Sequence, residues 1–147
     1  MKLKHIYVTL FVLITSLGFS QLKTITDKTT YPFWINVPEK ESTEKQPILI
    51  FLHGKSLSGT DLNRVRRYGV LRAMDKGRGS WNPDKVLEVL EYVQKNYNTD
   101  STRIYVCGMS LGGYGTLHFA GKHADKITAA VAICGGGNVS DGCKLGT

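Results

Sequence analysis

Apolar residues along this chain fall into two kinds of block: short unbroken runs, and longer stretches where they return every three or four positions. The run Ile48-Leu49-Ile50-Phe51-Leu52 has no polar alternation, which predicts a strand of a parallel sheet covered on both faces. Ile104-Tyr105-Val106-Cys107 and the stretch from Lys126 to Cys134 predict two more buried strands. Lys23 to Val37 mixes threonines with Tyr31, Phe33, Trp34, Ile35 and Val37 in partial alternation, as in one or two strands bent near Pro32. Helical spacing appears in Leu62, Val65, Leu71 and Met74, predicting a helix from Asp61 to Gly77 with Thr60 or Asp61 as its cap. Val86, Val89, Leu90, Val93 and Tyr97 predict a second helix, opened by Asn82 as N-cap and Pro83 at the first helical position. A third runs from Ser110 through Ala120. Pro38 to Pro47, the joint Gly77-Arg78-Gly79-Ser80-Trp81, and the tail from Gly135 to Thr147 carry turn residues and predict no element. Strands alternating with helices define an α/β class with a mostly parallel sheet flanked by helices.

The first block breaks this pattern. Lys2 and Lys4 precede an apolar run from Ile6 to Leu17, and small residues Gly18 and Ser20 follow, the three parts of a secretory signal cut before Gln21. The run is too short to span a bilayer comfortably. Residues 1–20 are therefore expected to be a signal peptide and 21–147 a single domain, exported to a periplasmic or extracellular space, with no stable membrane span after signal removal.

The 147 residues suffice for one core without staples. Net charge is +7, falling to +5 without Lys2 and Lys4. Arg64, Arg66, Arg67, Arg72 and Lys76 lie off the apolar side of the first predicted helix, yet no aromatic stacking platform is interleaved with them. A solvated helix face is the better reading, and no nucleic-acid partner is expected. Of three cysteines, Cys107 lies inside a predicted strand and reads as a small hydrophobe, while Cys134 and Cys143 flank Gly135-Gly136-Gly137 and could close a small loop. No Cys/His cluster has metal-ligand spacing, and neither metal nor cofactor is expected.

The chemistry concentrates at Gly108-Met109-Ser110-Leu111-Gly112-Gly113, which fits G-x-S-x-G between a strand and a helix. On such a turn the serine stands above the sheet, while glycines let strand and helix backbones pass closely. A helix N-terminus also offers unpaired N–H groups and a dipole that favours developing negative charge. The backbone N–H of Leu111 is the first oxyanion donor this pattern supplies. The bland alternative is a packing turn with Ser110 as a simple N-cap. Upstream, the apolar strand ends in His53-Gly54, where a glycine lets the loop turn its N–H groups toward the sheet's carboxyl edge. The backbone of Lys55 then supplies the second donor. A phosphate loop at Gly54-Lys55-Ser56 is excluded, since that motif needs glycine where Leu49 stands.

Together, Phe51-Leu52-His53-Gly54, the elbow from Gly108 to Gly115 and Ala132-Ile133-Cys134-Gly135-Gly136 resemble the α/β-hydrolase superfamily, in particular exported bacterial esterases and prolyl-oligopeptidase-like serine hydrolases. The resemblance covers most of Ile48 to Gly136. It implies two-step acyl transfer, with Ser110 as nucleophile, the N–H groups of Lys55 and Leu111 holding the oxyanion, and Gly54, Gly108, Gly112 and Gly113 shaping the loop and elbow. Such a triad is completed in the order serine, acid, histidine. Here His118 and His123 fall within or just after the elbow helix, Asp125 begins the next loop and Asp141 lies in the tail, so the acid and base are not assigned. The resemblance further implies an incomplete fold, lacking later strands and one internal strand beside the His53 strand. Three functions follow: an esterase acting on small-molecule or carbohydrate-linked esters, a serine peptidase of the prolyl-oligopeptidase kind, or a non-catalytic fragment or binding protein. Oligomeric state is left open by the sequence.

Overall fold

The computed structural model describes residues 20–38, 42–59, 61–66, 72–73 and 81–137. Residues 1–19 of the predicted signal, Cys143 and Asp141 lie outside them. Strand β1 (Ser20–Ile25) pairs antiparallel with β2 (Phe33–Pro38), from Ile25 opposite Phe33 to Ser20 opposite Pro38. Strand β3 (Gln46–Leu52) follows, then a single 3-10 turn, Lys55–Leu57. A one-turn helix α1 (Asn63–Arg66) and a two-residue strand β4 (Arg72–Ala73) precede the long helix α2 (Pro83–Asn96). The chain continues as β5 (Thr99–Met109), helix α3 (Leu111–Lys122) and β6 (Ala129–Ile133). The sheet order is β1-β2-β4-β3-β5-β6. It is mixed: an antiparallel N-terminal pair and three parallel strands, joined through β4, which runs parallel to β3 and antiparallel to β2.

One core lies under the sheet. Ile48, Ile50 and Leu52 of β3 and Ile104 and Val106 of β5 project onto Val86, Val89, Leu90 and Val93 of α2 and Phe119 of α3. Helix α2 begins as its sequence demands, with Asn82 Oδ1 accepting from the backbone N–H groups of Asp84 at 2.9 Å and Lys85 at 3.4 Å. The N-terminal hairpin joins the same core through Tyr31, Phe33 and Ile35, with Phe33 set edge-on to Tyr92.

Three expectations need correction. The stretch Asp61 to Gly77 is not one helix: among the described residues only Asn63–Arg66 is helical, and Arg72–Ala73 is a strand. Pairing with the facing edges of β2 and β3 outweighs local helical spacing there, because strand edges need hydrogen-bond partners. The internal strand expected to be missing is represented among the described residues by Arg72–Ala73, which bonds β3 at Phe51 and Leu52 and reaches β2 at Phe33. Finally, β3 and β6 are not buried on both faces. Leu49 is 38% exposed, Val131 58% and Ile133 46%, because no described helix covers the sheet face opposite α2 and α3.

Candidate active site

Strand β5 ends at Met109 and α3 starts at Leu111, leaving Ser110 alone to make the turn. Its backbone sits at φ 55°, ψ −119°, in the region that side chains other than hydrogen rarely adopt. Two hydrogen bonds hold it there: Ser110 N–H donates to the Ile133 carbonyl at 2.8 Å, and Tyr114 N–H donates to the Ser110 carbonyl at 3.1 Å. The side chain makes no capping bond, so Ser110 is not the simple N-cap of the bland reading. It is exposed at the carboxyl edge of the parallel strands.

The glycines account for how closely the backbones pass. A Cβ on Gly108 would run into the Gly112 carbonyl and Thr116 Oγ1, and one on Gly112 into the Leu52 carbonyl. The start of α3 is thereby seated directly on the end of β3. That contact brings the loop after β3 against the serine: a Cβ on Gly54 would lie 3.5 Å from Ser110 Cβ.

The Gly54 carbonyl is held from two sides. His53 Nδ1 lies 2.8 Å from it and, since a carbonyl only accepts, that nitrogen carries the proton. Leu57 N–H donates to the same oxygen at 3.1 Å. In a trans peptide the N–H points opposite to the C=O, so fixing the Gly54 carbonyl also fixes the direction of the Lys55 N–H. His53 is fully buried, its ring 4.9 Å from that of Trp81, whose Nε1–H donates to the His53 carbonyl at 3.1 Å. Trp81 is pinned in turn by Gly115, where a Cβ would meet Trp81 Cγ at 2.6 Å. In the sequence Trp81 stands at the end of a turn-rich joint. Its aromatic size before an N-cap was a packing signal with no indication of its partner. Gly135, part of the strand ending that carries the resemblance, packs against Gly113, where a Cβ would meet Gly135 Cα at 2.9 Å.

His123 Nε2 lies 3.1 Å from Asp84 Oδ1, and Lys122 Nζ 2.7 Å from Asp84 Oδ2. The Lys122 hydrogen bond, then that of His123, lowers the Asp84 pKa. This acid–histidine pair ties α2 to the far end of α3, about 20 Å along the helix from Ser110 at 1.5 Å per residue. Asp125 pairs with Lys126 at 2.9 Å, and His118 lies midway along α3. No Ser-His-Asp arrangement is present among the described residues. Cys107, half-buried in β5, has its thiol pKa raised by burial. Among the described residues no three His, Cys, Asp or Glu side chains gather as a metal site would require, and no helix is long and apolar enough to cross a membrane.

Residues 71–141 match the model of the prolyl oligopeptidase family. Over 67 residues the chain is 37% identical to a bifunctional acetylxylan esterase/xylanase of Neocallimastix patriciarum, a match covering 46% of this chain and 10% of that protein. Over 69 residues it is 32% identical to a protein of Aspergillus flavus named "Probable acetylxylan esterase A", covering 47% and 22% respectively. The crystal structure of a thermostable esterase superposes with a TM-score of 0.69 at 29% identity, covering 86% of this chain and 44% of that one. The chain is homologous to the esterases and peptidases of the α/β-hydrolase superfamily. It carries a partial form of that fold, with fewer strands among the described residues than the full eight-stranded core, and spans less than half the length of each of these three relatives.

Proposed function

We propose that this chain belongs to an exported serine hydrolase acting on carboxylic esters, with Ser110 as its nucleophile. The observation that carries the reading is the strained backbone of Ser110 at the strand–helix turn, with the Gly54 loop packed against it. Ser110 Oγ forms the new bond to the ester carbonyl carbon and gives its proton to a base. The N–H groups of Lys55 and Leu111 stabilise the oxyanion as it develops, and its collapse releases the alcohol. Water then cleaves the acyl-serine. The names of the matched acetylxylan esterases favour an acyl ester on a small molecule or a carbohydrate as substrate. The pattern of Lys2, Lys4 and the run Ile6 to Leu17 supports export, with Gln21 as the first mature residue.

The base and acid have no counterpart beside Ser110 among the described residues. Without them only about 10³-fold acceleration over water is expected, from the oxyanion donors and binding. The 147-residue chain alone should therefore turn over p-nitrophenyl acetate at no more than that residual level, and Ser110→Ala should abolish the acetyl-serine intermediate that mass spectrometry detects on the parent. Ester hydrolysis at ordinary enzyme rates, dependent on Ser110, would overturn the second half of the reading. An acetyl adduct that still forms on Ser110→Ala, or none on the parent, would overturn the first. The intact mass of the protein secreted by its own host separates a short protein from a part of a longer hydrolase.

The match to the prolyl oligopeptidase family favours a second reading, a serine peptidase. Cleavage of a prolyl p-nitroanilide in preference to the acetyl ester, lost in Ser110→Ala, would select it.

A further inference from the structure

Two successive peptide planes lead from β3 into the loop beside Ser110, and each is held by a different side chain. The His53 carbonyl accepts from Trp81 Nε1–H at 3.1 Å, and the Gly54 carbonyl accepts from His53 Nδ1–H at 2.8 Å. In a trans peptide the N–H points opposite to the C=O, so the first bond fixes the Gly54 N–H and the second the Lys55 N–H. The two bonds are linked. The imidazole that makes the second stands edge-on to the indole that makes the first, with 4.9 Å between ring centroids and 68° between planes. A shift of the indole therefore disturbs both planes.

The indole itself is set from outside the loop. Trp81 immediately precedes Asn82, the N-cap of α2, and is 1% exposed. Its ring stands edge-on to that of Tyr31, 5.3 Å away, and Tyr31 Oη accepts from the Asn82 N–H at 3.1 Å. On its other side it lies against α3, where a Cβ at Gly115 would meet Trp81 Cγ at 2.6 Å. Helix α3 begins at Leu111, one residue after Ser110. The helix that follows the serine and the loop that carries the Lys55 N–H thus rest on the same side chain. Leu57 N–H also holds the Gly54 carbonyl, at 3.1 Å, but it belongs to the loop and moves with it. The Leu57 bond sets the shape of the loop, whereas Trp81 sets where that shape sits against Ser110.

We infer that Trp81 is a positioning residue for the oxyanion site: its indole N–H, acting through His53, aims the Lys55 N–H at the point where negative charge develops beside Ser110. This role presupposes Ser110 as the nucleophile proposed for this chain. A buried indole N–H needs an acceptor of some kind. Here the acceptor is the carbonyl one peptide before the one that carries the proposed donor. Oxyanion donors act within about 2.7–3.1 Å of the oxyanion, and a misplacement of about 1 Å costs about 10²-fold in rate. Anchoring two successive peptide planes keeps the donor within that tolerance. The side chain of Lys55 takes no part, because its backbone alone is aimed and the residue is exposed.

The test uses the full chain with p-nitrophenyl acetate and its thiono analogue, in which sulfur replaces the carbonyl oxygen. In each case Ser110 Oγ bonds the carbonyl carbon, the bond to p-nitrophenolate breaks and the serine proton passes to water. Mass spectrometry follows the acyl adduct with time. Sulfur accepts hydrogen bonds weakly, so the oxygen-to-sulfur rate ratio, taken relative to that of N-acetylserinamide in solution, reads the oxyanion donors. Replacing Trp81 by 3-benzothienylalanine keeps the shape of the indole and removes its N–H. The ratio is expected to fall by about tenfold, less than the 10²–10³ lost with a whole donor. Trp81→Phe should lower it similarly. Val89→Ala opens a cavity in the core under the sheet and should reduce stability while leaving the ratio unchanged. A ratio unmoved by both Trp81 variants, or lowered equally by Val89→Ala, would overturn the role of Trp81 and leave Ser110 as nucleophile. No acyl adduct on the parent from either ester would overturn both.

Discussion

Gly112 lies so close to the main-chain carbonyl of Leu52 that a Cβ at residue 112 would overlap it. The obstacle is backbone in the middle of the sheet and cannot rotate away. Gly112→Ala should therefore cost about 3 kcal/mol, at the upper end of overpacking substitutions. Gly137→Ala would meet only the side chain of Leu117, at 3.0 Å from Cδ1 and 3.1 Å from Cβ, contacts that a shift of a few tenths of an ångström relieves. It should cost under about 1 kcal/mol. Urea denaturation of both variants checks the contrast, and equal losses would show that the contact at Leu52 relaxes freely.

Ser110 carries backbone strain that a simple packing turn would have no reason to keep. Glycine has no Cβ to oppose φ 55°, so Ser110→Gly should be more stable than Ser110→Ala by about 1 kcal/mol, although glycine loses more entropy on folding. Both variants should lack the acyl-serine intermediate. Thermal denaturation of the pair, side by side, reads the strain directly. A Ser110→Ala protein as stable as Ser110→Gly would mean that the serine backbone is at ease.

Trp81 joins the two halves of the site, through its hydrogen bond to the His53 carbonyl and its seat on Gly115. Trp81→Phe should lose about 1–2 kcal/mol, mostly from the buried carbonyl left without its donor. Trp81→Ala should lose about 4 kcal/mol by opening a cavity beside Tyr31, whose ring centroid lies 5.3 Å away. Calorimetry of the two variants tests the order. If both cost the same, the indole is held by shape alone.

The strands and the elbow were legible because their signals are local. The run Ile48–Leu52, the glycine spacing around Ser110 and the Asn82-Pro83 helix start each specify their element with little help from distant residues. The stretch from Asp61 to Gly77 was misread, since its spacing fits a helix while the partners that draw Arg72–Ala73 into a strand lie on β2 and β3. Exposure of Leu49 and Val131 was illegible for a related reason. An unbroken apolar run reports what a strand could bury, whereas the cover on its second face must come from another part of the chain. At the site, sequence pointed to Ser110, Leu111 and Lys55 but not to the His53–Trp81–Gly115 contacts that hold the loop, because these join residues far apart in the chain.

Asp100 makes the stability of this fold sensitive to acid. Its Oδ1 accepts from Thr102 Oγ1 at 2.6 Å and from Thr102 N–H at 2.8 Å, and its Oδ2 accepts from Arg103 Nε at 2.7 Å. Arg103 in turn donates to the Lys45 carbonyl at 2.6 Å, tying the start of β5 to the segment leading into β3. These bonds favour the carboxylate, Thr102 contributing most and Arg103 next, and they lower the Asp100 pKa to about 2 from an ordinary 3.8. A carboxyl group whose pKa is lower in the folded than in the unfolded chain stabilises the fold above the unfolded pKa, and that contribution disappears as pH falls through the folded one. The stability due to Asp100 is thus complete above about pH 4 and lost progressively toward pH 2. Asp84, lowered by Lys122 and His123, acts in the same direction. Asp100→Asn removes one titration without changing side-chain shape, so the variant should be less stable than the parent at pH 6 but fall off less steeply between pH 4 and 2. Urea midpoints measured across that range decide it: parallel acid limbs for the two proteins would place the acid sensitivity at other carboxylates.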